Sequence, residues 1–98
     1  MVKHMIIWKL KDDISDKEAK KTEIKSKLEA LEGKIDGLIK MRILTDCFDS
    51  SAGDIMMDSD FTDREALKAY AKNPLHVAVA DGTVRPAVMT RLSFDYEI

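Results

Sequence analysis

Two proton-active side chains, the phenol of Tyr70 and the imidazole of His76, stand six positions apart in the segment YAKNPLHVAV, on either side of a proline. A neutral imidazole, whose ordinary pKa is about 6.5, is a competent base at neutral pH. A phenol can donate to an oxyanion as it develops, and a cavity that excludes water strengthens that bond. Together the two groups suit removal of a proton from a carbon acid while its carbonyl is polarised. His4, in the opening strand, is the third candidate ring. The same residues also suit plain packing. Tyr70 would then bury its ring and find a hydroxyl partner, His76 would cap or brace the short helix after Pro74, and His4 would be a satisfied core histidine.

The elements that must position these rings are legible in the local sequence. Thr62 and Glu65 have the spacing of a capping box, so a helix is expected over Thr62 to Ala71. It cannot run through Pro74, which lacks an amide proton and drives Asn73 out of the helical region. Tyr70 is therefore expected in the last turn, with Ala66 and Leu67 beside it on the buried side. The chain should resume helically from Leu75 to Asp81, with Gly82, Thr83 and Pro86 interrupting the segment beyond it.

Upstream, Val2 to Lys11 reads as a strand with His4, Ile6, Trp8 and Leu10 on one face and the apolar Met5 and Ile7 on the other. Two apolar faces imply a strand covered on both sides. Ser15 and Glu18 form a second capping-box pattern, which starts a helix at Asp16. Ile24, Leu28, Leu31 and Ile35 recur along it at helical spacing, and Gly33 or Gly37 can end it. A second strand is expected over Leu38 to Cys47, where Ile39, Met41 and Ile43 alternate with Lys40 and Arg42. The stretch FDSSAGD, Phe48 to Asp54, is a loop. A third strand comes next, with Ile55, Met57, Ser59 and Phe61 on one face and Met56, Asp58 and Asp60 on the other. The last, Met89 to Tyr96, sets Leu92, Phe94 and Tyr96 against Arg91, Ser93 and Asp95.

Strand, helix, strand, strand, helix, strand is the βαββαβ order of a ferredoxin-like α+β sandwich with a four-stranded antiparallel sheet, a single domain over residues 1–98. Two helices cover one face of such a sheet. The other face, with its bulky residues, is expected to pair with the same face of a second chain in a two-fold homodimer. Trp8, Phe94 and Tyr96 then belong to the core or that interface.

Sixteen basic and eighteen acidic residues leave a net charge of -2, so no global field recruits nucleic acid or an anionic membrane. The apolar opening run is too short for a membrane span or a signal-peptide core. The lone Cys47, flanked by Asp46 and Asp49, can form no intrachain disulfide, and two histidines make no metal cluster. These features suit a reducing cytoplasm and imply no metal and no cofactor. Gly-rich phosphate loops and serine elbows are missing from the sequence.

The opening VKHMIIWKLKDDIS, the segment YAKNPLHVAV and the terminal LSFDY resemble the stress-responsive A/B barrel (Dabb) family of the dimeric α/β-barrel superfamily, over nearly the whole chain. The resemblance implies a homodimer whose two sheets close face to face into a barrel. It also implies a small, mostly apolar cavity between helix and sheet, binding a small hydrophobic molecule through Tyr70, His76 and His4. Plant relatives that cyclise polyketides use a tyrosine and a histidine at this spacing. By that likeness Tyr70 and His76 would be catalytic, in a cofactor-independent cyclase, isomerase or oxygenase. Those cyclases carry a further histidine where this chain has Ile55 or a neighbour of it. A third reading is a structural dimer with no ligand. Relatives also hold a divalent cation at the carbonyl end of the first helix, here near Gly33, where the sequence offers no side-chain ligand set.

Overall fold

The computed structural model describes residues 1–98. Strand β1 spans Val2–Leu10 and helix α1 Lys17–Glu29. The hairpin strands β2 and β3 span Leu38–Leu44 and Ile55–Phe61. Helices α2 and α3, Arg64–Lys72 and Pro74–Val79, lead to the closing strand β4, Val88–Glu97. The strands form one antiparallel sheet in the order β2-β3-β1-β4. No helix is long and apolar enough to cross a membrane.

The period-two reading of β1 and β3 holds. Val2, His4, Ile6, Trp8 and Leu10 are buried beside Ile55, Met57, Ser59 and Phe61, with His4 opposite Ser59 and Trp8 opposite Ile55. Ile24 and Leu28 of α1, and Leu31 and Ile35 just beyond it, complete the core. In β2 the expected alternation fails at one point: a bulge between Leu38 and Lys40 shifts the pairing. Leu38, Met41 and Ile43 are therefore the buried set, and Ile39 faces out. The strand also stops at Leu44, three residues short of Cys47, which is exposed.

Neither expected capping box forms, and a single aspartate one residue later caps each helix. Asp16 accepts from the Ala19 amide and Asp63 from the Ala66 amide, taking the roles expected of Ser15 and Thr62. Aspartate accepts from the amide as well as the hydroxyl would and adds a charge that suits the helix N-terminus. Two left-handed glycines shape the return from α1. Gly37 cannot carry a side chain, because a Cβ there would meet that of Ala66 at 2.4 Å. The end of α1 and the turn after it also protect the outer edge of β2. The carboxylates of Glu32 and Glu29 accept from the Met41 and Ile43 amides at 2.8 and 3.0 Å, filling positions that another strand could otherwise occupy.

After α3 the chain is not broken by Gly82 and Pro86. It widens through Ala80–Val84, where one turn holds an extra residue, and tightens through Arg85–Ala87 before β4. Thr83, in the wide turn, is tied to α1 by the Lys27 ammonium at 3.0 Å. Such single widened turns recur at functional sites.

The helices pack over β1, β2 and β3 on one face of the sheet. On the opposite face Leu92 and Phe94 of β4 are 66% and 68% exposed, beside Met5 and Ile7 of β1. The two carboxylates of that face are neutralised within the chain. The Lys3 ammonium lies 2.7 Å from both Asp58 and Asp60, the Asp60 contact being off the hydrogen-bond direction, and Arg42 reaches Asp58 at 2.9 Å.

Candidate functional site

Tyr70 is delivered by the last turn of α2, as its spacing from Leu67 suggests. It is 2% exposed. Asn73 then turns extended, with ψ at 129°, as the residue before a proline must. Its side chain caps the next helix by accepting from the Leu75 amide at 2.9 Å, and Pro74 occupies the first turn, where its missing N–H costs nothing. Asn73 therefore holds the capping role considered for His76. Freed of it, the His76 ring folds back on Tyr70, with centroids 4.1 Å apart and planes 35° from parallel. Phe61 of β3 closes the stack from the other side, 5.0 Å from Tyr70 and edge-on.

The polar ends of both rings are left over. Tyr70 Oη and His76 Nδ1 are buried and neither has a hydrogen-bond partner, contrary to the expectation that the tyrosine would find one. Burial pushes the Tyr70 phenol well above its ordinary value, so it remains a proton donor. Burial also holds the His76 imidazole below its usual value. The Ala71 carbonyl, close to the ring but outside hydrogen-bond geometry to it, works against that shift, while the positive charges of Arg85 and Arg91, with His4, add to it.

His4 is 8% exposed and lies near the same cluster, its ring 6.2 Å from Phe61. One of its nitrogens is occupied, since Nδ1 pairs with the Asp95 carboxylate across the β1–β4 ladder. Sequence reading placed Asp95 on the polar face of β4 without assigning it to the site. The strand pairing, which sets Asp95 opposite His4, is the signal that would have found it.

These groups border a cavity of about 770 Å³ between α2, α3 and the β1–β4 half of the sheet. Val2, Ile6, Trp8, Leu28, Met57 and Leu67 supply its apolar wall, and Arg64, Lys68, Arg85, Arg91, Asp95 and Glu97 its charged one. Its size lies within the usual range of small-molecule sites, roughly 300–1,000 Å³. Tyr70, His76 and His4 all line it, so the structure brings the three candidates together. No group of three or more His, Cys, Asp or Glu side chains converges as metal ligands would, near Gly33 or elsewhere.

An antiparallel sheet in this strand order, with the helices on one side, defines the ferredoxin-like α+β class. The chain belongs to the stress responsive A/B barrel domain family, whose sequence profile matches residues 2–98. It is similar to a dimeric protein of unknown function and ferredoxin-like fold from Bacteroides fragilis at 29% identity and TM-score 0.88, covering 99% of this chain and 95% of that one. A Dabb family protein from Mesorhizobium loti is 20% identical with TM-score 0.80, over 99% and 95% of the two chains. A hydroxynitrile lyase from Passiflora edulis is 17% identical with TM-score 0.80, over 99% and 92%. No curated protein matches the sequence significantly.

Proposed function

We propose that this protein is a single-domain homodimer, working in a reducing cytoplasm, that binds a small, mostly apolar molecule in the helix–sheet cavity of each subunit. Tyr70 and His76 are its polar contacts, and His4, oriented by Asp95, borders the same space. One observation carries the reading: two buried polar atoms, Tyr70 Oη and His76 Nδ1, lack partners in the same cavity wall. A buried donor or acceptor left unpaired costs about 1–3 kcal/mol. Bound ligand atoms would offset that cost. The exposed apolar face carrying Leu92 and Phe94 supports the dimer, as does the dimeric state of the Bacteroides fragilis relative.

Trp8, the single tryptophan, lines the cavity and makes binding measurable by fluorescence. Phenylpropanamide, an aromatic body with a neutral polar head, should give a saturable response. His76→Ala should weaken its binding about two- to tenfold, the net worth of one hydrogen bond. A wild-type protein with no saturable response rejects the reading.

The half-buried His76, its imidazole held low, beside a phenol that burial keeps protonated also favours an enzymatic reading. His76 would take a proton from a carbon next to a carbonyl, Tyr70 would hydrogen-bond to the enolate oxygen, and the proton would return to carbon or reach a new bond partner. The similarity to a hydroxynitrile lyase is compatible with chemistry in this fold. Hydrogen–deuterium exchange of phenylacetone in heavy water, followed by NMR, tests the step. Exchange no faster with the protein than in buffer, or equally fast with His76→Ala, rejects it.

A further inference from the structure

The cavity has a charged wall that Tyr70 and His76 do not account for. Four cations line it, and three of them already have carboxylates: Arg64 with Glu97 at 3.6 Å, Lys68 with Glu65 at 3.6 Å, and Arg85 with Asp81. Arg91 has no ion-pair or hydrogen-bond partner among the side chains. The β4 register fixes its place, opposite Trp8 on the helix-facing side of the sheet. Asp95, which is engaged with His4, stands four residues further along β4, about 13 Å of strand away. The cavity is therefore polarised along its length. The His4–Asp95 pair and, beyond it, Arg64 with Glu97 stand toward one end, an unpaired guanidinium stands at the other, and Ile6 and Trp8 provide apolar surface.

We propose that Arg91 is an anion-binding residue and that the cavity takes an apolar molecule bearing a single carboxylate, seated at the Arg91 end with the Arg85 charge close by. The proposal names the ligand class for the small-molecule reading above and rests on it. A guanidinium presents paired donors that match a carboxylate. One unpaired cation among four favours a monoanion, because a doubly charged head would have a single free positive charge to balance it. Arg85 and Arg91 line the same cavity as Tyr70 and His76.

Phenylpropanoate and phenylpropanamide differ only in the charge of the head, and Trp8 fluorescence follows both. The wild-type protein should bind the carboxylate about tenfold more tightly than the amide, in keeping with a hydrogen bond to a charged group. Arg91→Gln should remove that preference while leaving amide affinity within about twofold, and Arg91→Lys should keep part of it. Equal affinities in the wild type, or an intact preference in Arg91→Gln, overturn the anion subsite and leave the apolar cavity reading standing. Failure of both compounds to give a saturable response overturns both readings together. Arg91 is exposed, so its variants are expected to fold, and thermal melts of each verify this.

Discussion

Replacing Tyr70 by phenylalanine removes one oxygen and separates a residue kept for packing from one kept for a ligand. Its ring packs against Phe61 and His76 at 5.0 and 4.1 Å, contacts that phenylalanine retains. Its hydroxyl is buried without a partner. A buried, hydrogen-bonded hydroxyl is worth about 0.5–1.5 kcal/mol, so its loss normally destabilises a protein. An unpaired one costs about 1–3 kcal/mol. Tyr70→Phe should therefore stabilise the ligand-free protein by about 1 kcal/mol, the low end of that range, because the vacated space recovers only part of the desolvation cost. For a domain of this size that raises Tm by roughly 4–8 °C. Added phenylpropanoate should reverse the order of merit: the variant binds several-fold more weakly, and the ligand raises its Tm by less than that of the wild type. Calorimetric melts of both proteins, with and without the compound, give all four values. A fall in Tm for the ligand-free variant would refute the reasoning, since it would mean that the hydroxyl is bonded within the protein.

The open sheet face predicts a concentration-dependent mass. Sedimentation at micromolar concentration should give about twice the chain's 11.1 kDa, and Phe94→Glu should bring it back to the single-chain value by placing an unpaired charge at a desolvated interface. A wild-type mass near that of one chain removes the dimer. Burial lowers the His76 pKa, so the unfolded chain binds protons that the folded one refuses. Its contribution to stability is complete above the unfolded value of about 6.5 and is lost as pH falls from there toward the lowered folded value. Urea midpoints at about pH 7.5 and about pH 5 should thus differ more for the wild type than for His76→Gln; equal differences would show that His76 is not the group responsible. For Asp58, burial acts to raise the carboxyl, but Lys3 and Arg42 outweigh it and hold the group low. Its contribution is present above about pH 4 and disappears at lower pH, a loss that Asp58→Asn should remove from an acid titration.

The residues that were legible in sequence are those governed by short-range rules. Pro74 dictated the end of α2, and with it the placing of Tyr70 before the break and His76 after it. The period of two in β1 and β3 identified which face His4 shares with Trp8 and Met57, because a regular ladder leaves no other choice. The features that escaped the sequence reading depend on events between elements. The bulge that turns Ile39 outward belongs to the β2–β3 pairing and has no local signature. The choice of Asp16 and Asp63 as caps turned on which of two adjacent oxygen-bearing side chains the tertiary approach favoured. The same limit explains the site. His4 and Asp95 are separated by nearly the whole chain and meet because β4 pairs with β1 in one register. Shifted by one residue, that register would put Leu92 or Phe94 on the cavity side and exchange Arg91 for an apolar or uncharged neighbour. The hydrophobic Leu92 and Phe94 on the opposite face are therefore tied to the chemistry of the cavity by the register itself: the pairing that turns them outward is the one that places Asp95 beside His4 and Arg91 beside Trp8.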